Sequence, residues 1–379
     1  MIKLAIVGAS YLQLPLVLKA KGMGLFTICF AWKDGAVCRN RCDKFYPISI
    51  LEKDSILDLC RKEKISGIIS IASDLAVPTV CYVAEKLGLT GNSFESSLVS
   101  TNKYLQRRKL FYSKLQVPRF ENYANITLAS IVKEFHFPIV IKPVDRSGSK
   151  GVGLVETYED VKIKIENAKK ESIIGEVIIE EFIEGEEISV ESISWKGSHY
   201  LLAFTDKVTT GRPHFVELEH HQPSKYWDSN LHAEIWNVVM NSLNALDIQY
   251  GACHSELMIT KTGEIYVTEI GARMGGDFIG SHLVQLSTGF DFLKAIIEIA
   301  LGSKPEVYTH NKRHAGVCFY TKGTEWVADF VKSKNSNIVD WNLDQLNDLV
   351  VKESAERSGY LIYCGDQKID VFTFKESPL

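Results

Sequence analysis

The 379-residue sequence is short of most features that place a chain in a special class. It has no apolar run near the ~20 residues that cross a bilayer, which argues against a membrane helix. Its start, MIKLAIVGAS, has one lysine and a short apolar run before a glycine. That reads as a first β-strand, without the longer apolar region and cleavage site of a signal peptide. An excess of positive charge is missing too: the net charge of −4 is scattered over short mixed clusters and gives a nucleic acid no footing. Of the eight cysteines only Cys38 and Cys42 lie close together, and no second pair or histidine completes a zinc pattern. Reduced thiols in the cytoplasm are therefore expected. Ile6-Val-Gly-Ala-Ser10 begins like a dinucleotide fingerprint, but its later glycines are absent and an NAD site is not expected. There is no internal repeat and no low-complexity segment.

What remains is an ordinary globular composition, 45% hydrophobic and 24% charged, at a length that suggests two or three domains. Residues 1–100 alternate strand and helix patterns: strands at Lys3–Val7, Thr27–Ala31 and Ile65–Ile71, helices at Gln13–Lys21, Ser55–Lys62 (with Asp54 as cap) and about Leu75–Leu87. Such alternation predicts a parallel sheet covered by helices. A helix over about Thr101–Leu115 follows, then strands at Ile139–Val144, Val152–Glu156 and Val177–Phe182 and a β-rich stretch to Lys207. A helix over Leu231–Leu246 precedes a hairpin at Cys253–Ile270. Residues 277–302 read as helical, and the remainder as a small α+β appendage.

Three segments carry chemistry. Lys142-Pro-Val-Asp-Arg-Ser-Gly-Ser-Lys-Gly-Val-Gly153 ends a strand in lysine and continues as a small-residue loop, including Ser147, Gly148, Ser149, Gly151 and Val152. Glycines let backbone N–H groups converge on an anion, and lysine neutralises phosphate. A Walker A loop it is not, and alone it fits a phosphate cradle and a surface glycine hairpin equally. Next, Val177-Ile-Ile-Glu-Glu-Phe-Ile-Glu-Gly-Glu-Glu187 runs an apolar strand into acids. A strand of this kind can offer backbone groups to an adenine edge and a carboxylate to ribose, yet by itself it reads as a solvated strand end. The third segment spans His254 to Gly276. With Thr262-Gly263 as the turn and Lys261 opposite Glu264, Glu256 faces Glu269 across a hairpin. Facing carboxylates repel unless something neutralises them, and a hard divalent cation favours that arrangement over two solvent-facing glutamates. Arg273, Gly275 and Gly276 follow just before a predicted helix and form a candidate anion site.

In this order the segments resemble the ATP-grasp superfamily, specifically its carboxylate–amine ligase branch (L-amino acid ligase or biotin carboxylase-like), over roughly residues 1–305. The resemblance implies an α/β and α+β fold: a parallel-sheet pre-ATP-grasp domain (1–100), then two α+β subdomains (101–185 and 186–305) holding the nucleotide between them, and the appendage 306–379. It implies ATP and Mg²⁺ (or Mn²⁺) as cofactors. Lys103 and Lys142 match the phosphate lysines, Ser147 to Val152 the loop over the phosphates, and Glu180, Glu181 and Ile183 the adenine hinge. Glu187 matches the ribose carboxylate, Glu256 and Glu269 the metal ligands, and Arg273 the arginine at the transferring phosphate, so that Arg273 and Lys142 are the catalytic candidates. Gly271 departs from the pattern, since many members have a metal-binding Asn there.

The activity implied is an ADP-forming ligase that makes an acyl phosphate and transfers the acyl group to an amine, as a dipeptide ligase does. Two alternatives stand beside it: a carboxylase or formyl-transfer type using bicarbonate or formate, and a non-catalytic nucleotide-binding module. Small carboxylates and amines are the expected partners, with no nucleic acid or membrane, and a homodimer is common in the resembling family. Arg212 is a candidate for a substrate carboxylate and His214 or His220 for the amine, though these residues read equally as an ordinary surface loop with satisfied histidines; Gly275 and Gly276 would hold the acyl phosphate. The loops at Ser10, Tyr11, Ser73 and Asp74 sit where parallel sheets bind ligands.

Overall fold

The computed structural model of the protein describes residues 1–308, 313–347 and 349–369. The N-terminal lobe runs β1 (Lys3–Val7), α1 (Leu14–Gly22), β2 (Phe26–Ala31), β3 (Lys44–Pro47), α2 (Lys53–Glu63), β4 (Gly67–Ile69) and α3 (Val77–Leu87). Its strands form a parallel sheet in the order β3-β2-β1-β4, as the alternating pattern predicts. α3 stops at Gly88, which takes φ 66°, a left-handed C-cap that costs glycine nothing. Asp54 is not the cap of α2: it lies in the first turn and accepts from the Tyr82 hydroxyl at 2.6 Å.

The helix expected over 101–115 is α5 (Lys103–Tyr112), and a further helix, α4 (Phe94–Thr101), comes directly before it. Asn102 breaks them apart because its side chain accepts from the Leu105 amide at 3.1 Å, a side-chain cap that competes with continued helix. A small lobe follows: β5 (Phe120–Asn122), α6 (Leu128–Glu134), β6 (Ile139–Pro143), β7 (Gly153–Val155), α7 (Tyr158–Glu171) and β8 (Val177–Glu181). Its sheet has the order β5-β8-β6-β7, and β6 and β7 form a hairpin whose tip is the glycine-rich loop.

The large sheet begins with β9 (Glu186–Trp195), β10 (Ser198–Thr209) and β11 (Glu217–Gln222). α8 (His232–Ala245) leads to β12 (Tyr250–Ile259) and β13 (Ile265–Gly271). Ile235, Val239 and Leu243, one face of α8 at spacings of four, are buried against Cys253, Leu257, Ile265 and Val267. Each such side chain contributes about 1.5–3 kcal/mol relative to exposure. That packing claims one face of the sheet and leaves the other for the site.

Residues 277–302 are largely helical, as expected, in separate pieces. A π-type turn at Ile279–Leu283 runs into α9 (Val284–Thr288), Gly289 at φ 78° ends it, and α10 (Phe292–Ala300) packs against α1 and the N-terminal sheet. The expected appendage is also different. β14 (His314–Phe319), α11 (Trp326–Lys332), β15 (Ile338–Leu343) and β16 (Gly359–Gly365) place their strands in the same large sheet, β13-β12-β9-β10-β11-β14-β16-β15. Part of the 306–379 segment lies outside the described residues. Among the described residues no helix is long and apolar enough to cross a membrane.

Candidate active site

A cavity of about 740 Å³ lies between the small lobe and the open face of the large sheet. Its lining gathers Lys103, Lys142, Ser147, Gly148, Ser149, Val152, Glu180, Glu181, Ile183, Glu187, Glu256, Glu269 and Arg273, residues that the sequence scatters over 170 positions. In the glycine-rich loop Gly148, Ser149 and Gly151 all have positive φ, at 66°, 60° and 70°. Gly151 faces away from the cavity: a Cβ there would sit 2.9 Å from both Glu171 and Pro143, so glycine is what allows the loop to fold back on its own lobe.

Glu256 and Glu269 are register partners across β12 and β13. The path to that register differs from the expected one. Ile259 pairs with Ile265, one step off the Lys261–Glu264 pairing, and a bulge between Glu256 and Leu257 shifts the ladder back. Both carboxylates are met by cations. Lys103 Nζ donates to Glu269 at 2.8 Å, and Lys207 Nζ donates to Glu256 at 2.9 Å. His254 donates from Nε2 to Glu256 at 3.3 Å and from Nδ1 to Glu191 at 2.6 Å. Burial alone would raise the Glu256 carboxyl, but Lys207 and His254 hold it well below the usual carboxylate range. Burial would likewise lower His254, but Glu191 outweighs it and lifts the imidazole to about 9.

Lys207 was not foreseen. It is nearly buried on β10 among Glu187, Glu256 and Glu217, and these carboxylates overcome burial to raise it well above an ordinary lysine. Its acidic neighbours Glu187 and Glu217 lie on the two strands paired with β10, and Glu256 is brought in by the non-local pairing of β12 with β9.

The small-lobe side has the opposite balance. Lys142 is paired with Glu180, whose other oxygen accepts from Arg107 Nε at 2.6 Å. Arg107 is fully buried and also donates to the Thr268 carbonyl. Burial, with Arg107 and Lys103 nearby, pushes Lys142 down despite Glu180. Burial alone would raise Glu180, but Arg107 and Lys142 bring it below its usual range. The Glu180 side chain is thus committed within the protein, leaving only backbone groups of 180–183 for a ligand edge.

Arg273 forks onto Asp74, with Nε and Nη2 each 2.8 Å from a carboxylate oxygen. The fork lies directly over Gly271, where a Cβ would be 3.3 Å from the Arg273 guanidinium and from Asp74 Oδ1. The missing Asn therefore has its place filled by an inter-lobe ion pair. At Gly275 a Cβ would meet His254 Nδ1 at 2.8 Å and Glu191 Oε2 at 3.0 Å, so close approach requires glycine.

Arg212 and His214 are not brought to this end of the site. Arg212 lies over the Phe182 ring, 4.8 Å from its centroid, and 3.4 Å from Glu156, at the hinge side of the cavity. His220 is the histidine near the glycine turn. It is buried 3.5 Å from Asp277, which is forked by Arg357.

Comparison with known proteins agrees with this geometry. Residues 135–281 match the ATP-grasp domain family model. That segment, under half of the chain, is similar to ATP-grasp domains, and the chain's relatives include ligases. One relative is dapdiamide A synthase of Enterobacter agglomerans, 27% identical over 216 residues, 54% of this chain and 50% of the relative. Another is the L-arginine-specific L-amino acid ligase of Bacillus subtilis, 24% identical over 264 residues, 67% of this chain and 62% of the relative. The matched regions thus span only 50% and 62% of these relatives' length. The fold is that of the L-amino acid ligase from Bacillus licheniformis, with TM-score 0.81 at 22% identity, covering 99% of this chain and 96% of that one.

Proposed function

We propose that the protein is an ADP-forming ligase that phosphorylates a small carboxylate with ATP and passes the acyl group to an amine. The observation carrying this reading is the facing Glu256–Glu269 pair beside Lys103, Lys142, Lys207 and Arg273 around one cavity. The donor set fits a hard divalent cation: two carboxylates share one face, and each is now satisfied by an ammonium group that a metal can displace. Mg²⁺ held by Glu256 and Glu269 would neutralise the nucleotide phosphates and orient the γ-phosphoryl group.

On this reading Lys103, Lys142 and the backbone of the 147–152 loop hold the phosphates. Residues 180–183 offer backbone groups to adenine, and Glu187 accepts from ribose. The substrate carboxylate attacks the γ-phosphorus in line, and the bond to the ADP oxygen breaks. Arg273 and the amides of Gly275 and Gly276 stabilise the acyl phosphate until the amine displaces phosphate. Positioning and electrostatics do this work, so no protein nucleophile is required. All eight cysteines are free, in keeping with structural thiols in the cytoplasm.

The test is coupled ADP release with Mg²⁺-ATP against mixed pools of amino acids and small carboxylates. Release that needs one carboxylate and one amine together supports the ligase and names its substrates. Release with bicarbonate or formate and no amino acid moves the reading to a carboxylase or formyl-transfer enzyme. Gly271 motivates a further reading, nucleotide binding without turnover, which tight ATP binding with no ADP from any pool would favour.

A further inference from the structure

The turn that leaves β13 is held from both sides by arginine–aspartate forks. Arg273–Asp74 ties its start to the N-terminal lobe, and the Ala72 amide donates to the Met274 carbonyl at 3.2 Å. Asp277–Arg357 ties its end to the segment before β16, with Nη1 and Nη2 at 2.8 and 2.7 Å from the two carboxylate oxygens. Between the forks lie Gly275 and Gly276, and directly after them the backbone is strained. Asp277 and Phe278 take φ 48° and 63°, consecutive non-glycine residues in the left-handed region. Such a conformation is unfavourable for a side chain and persists only where its surroundings over-determine it.

Arg357 is the centre of those surroundings. Its Nε donates to the Ser354 carbonyl at 2.8 Å and its Nη1 also reaches the Glu217 carbonyl at 3.4 Å. Its guanidinium lies 3.5 Å from the Phe319 ring centroid, and Phe278 packs on Tyr360 at 4.3 Å. With both Asp277 contacts included, four of the guanidinium's five N–H directions end on protein oxygens. A side chain so committed is built to hold its neighbours and has little left to offer a ligand.

We propose that Arg357 is a positioning residue for acyl transfer: acting through Asp277, it fixes the strained backbone at 277–278 and so presets the preceding Gly275 and Gly276 amides beside Arg273. The proposal rests on the ligase reading for what those amides do. It gives the C-terminal strands, which the sequence presents as an accessory segment, a place in the active site.

The test compares Arg357→Met, Arg357→Lys and Asp277→Asn in the full chain by three readouts. These are hydrogen exchange of peptides covering 272–283, affinity for a non-hydrolysable ATP analogue with Mg²⁺, and kcat and KM for ligation. Expected are exchange faster by more than about tenfold at the turn, nucleotide affinity within about twofold, and kcat lower by ~10² with a smaller change in KM, the scale of an ångström's misplacement. Arg357→Lys, which keeps the charge and loses the fork, should recover part of kcat. Unchanged exchange in Arg357→Met and Asp277→Asn overturns the proposal whatever the turnover. So does a kcat that falls only in step with melting temperature and nucleotide affinity, which marks a merely structural role. If Arg357→Met does not fold, Asp277→Asn, with asparagine tolerant of the left-handed region, decides on the same criteria. A wild-type enzyme silent in every substrate pool counts against the ligase reading instead, and the exchange readout still decides whether Arg357 holds the turn.

Discussion

Lys142 and Lys207 face the same cavity from opposite sides and live in opposite electrostatic worlds. Lys142 shares one carboxylate, Glu180, with Arg107, and burial among cations depresses its pKa. Lys207 has three carboxylates around it, and its pKa rises well above the ordinary value. The small lobe thus holds surplus positive charge that an anion would relieve. The sheet face holds surplus negative charge that a cation would relieve. A nucleotide bound with its metal meets both demands together, which is why neither side needs to be internally neutral.

That contrast can be broken first at Glu269. Glu269→Gln keeps the shape and removes one facing charge, and ligation should fall by about 10³-fold or more, some 4 kcal/mol of transition-state stabilisation. Circular dichroism should be unchanged, and near-normal rates would remove the carboxylate pair from the mechanism. Lys207→Met should cost metal-free stability by about 3–5 kcal/mol, because it leaves buried carboxylates uncompensated. Saturating Mg²⁺ should restore much of that loss in a thermal melt; a deficit indifferent to Mg²⁺ would mean that no cation can take the lysine's place. Lys142→Met should do the reverse, lowering kcat/KM by ~10² while costing little stability, since Glu180 keeps Arg107. Should both lysine variants behave alike, the two sides are not electrostatically distinct.

The smallest effect is a pH dependence. His254 is raised from an ordinary histidine to about 9, so its charged form is favoured by folding. That stabilisation is complete below the unfolded pKa of about 6.5 and drains away as pH rises through the folded value. Metal-free protein should therefore lose melting temperature between roughly pH 6.5 and 9, and His254→Gln should flatten that slope. Equal slopes in the two proteins would assign the dependence to other groups.

The same contrast explains what the sequence made legible. The N-terminal sheet is built from contiguous apolar strands such as Lys3–Val7, whose pattern declares itself locally. Glu256 and Glu269 could be paired because one hairpin connects them, although the turn register was off by one and the bulge compensated for it. Lys207, Arg107 and Arg357 gave no comparable signal. Arg107 and Arg357 acquire their roles from partners 73 and 80 residues away, and Lys207 from Glu187 on the neighbouring strand together with Glu256, 49 residues away. The C-terminal strands joining the large sheet are likewise decided by non-local pairing.

The central claim is an acyl phosphate formed by attack of a substrate carboxylate on ATP. Once the ADP-release pools have named the substrates, the carboxylate can be labelled with ¹⁸O and the released phosphate weighed by mass spectrometry. One ¹⁸O in each phosphate is the predicted result, because the attacking oxygen leaves with phosphorus when the amine displaces it. Unlabelled phosphate from a productive reaction, or AMP and pyrophosphate in place of ADP, would contradict the account.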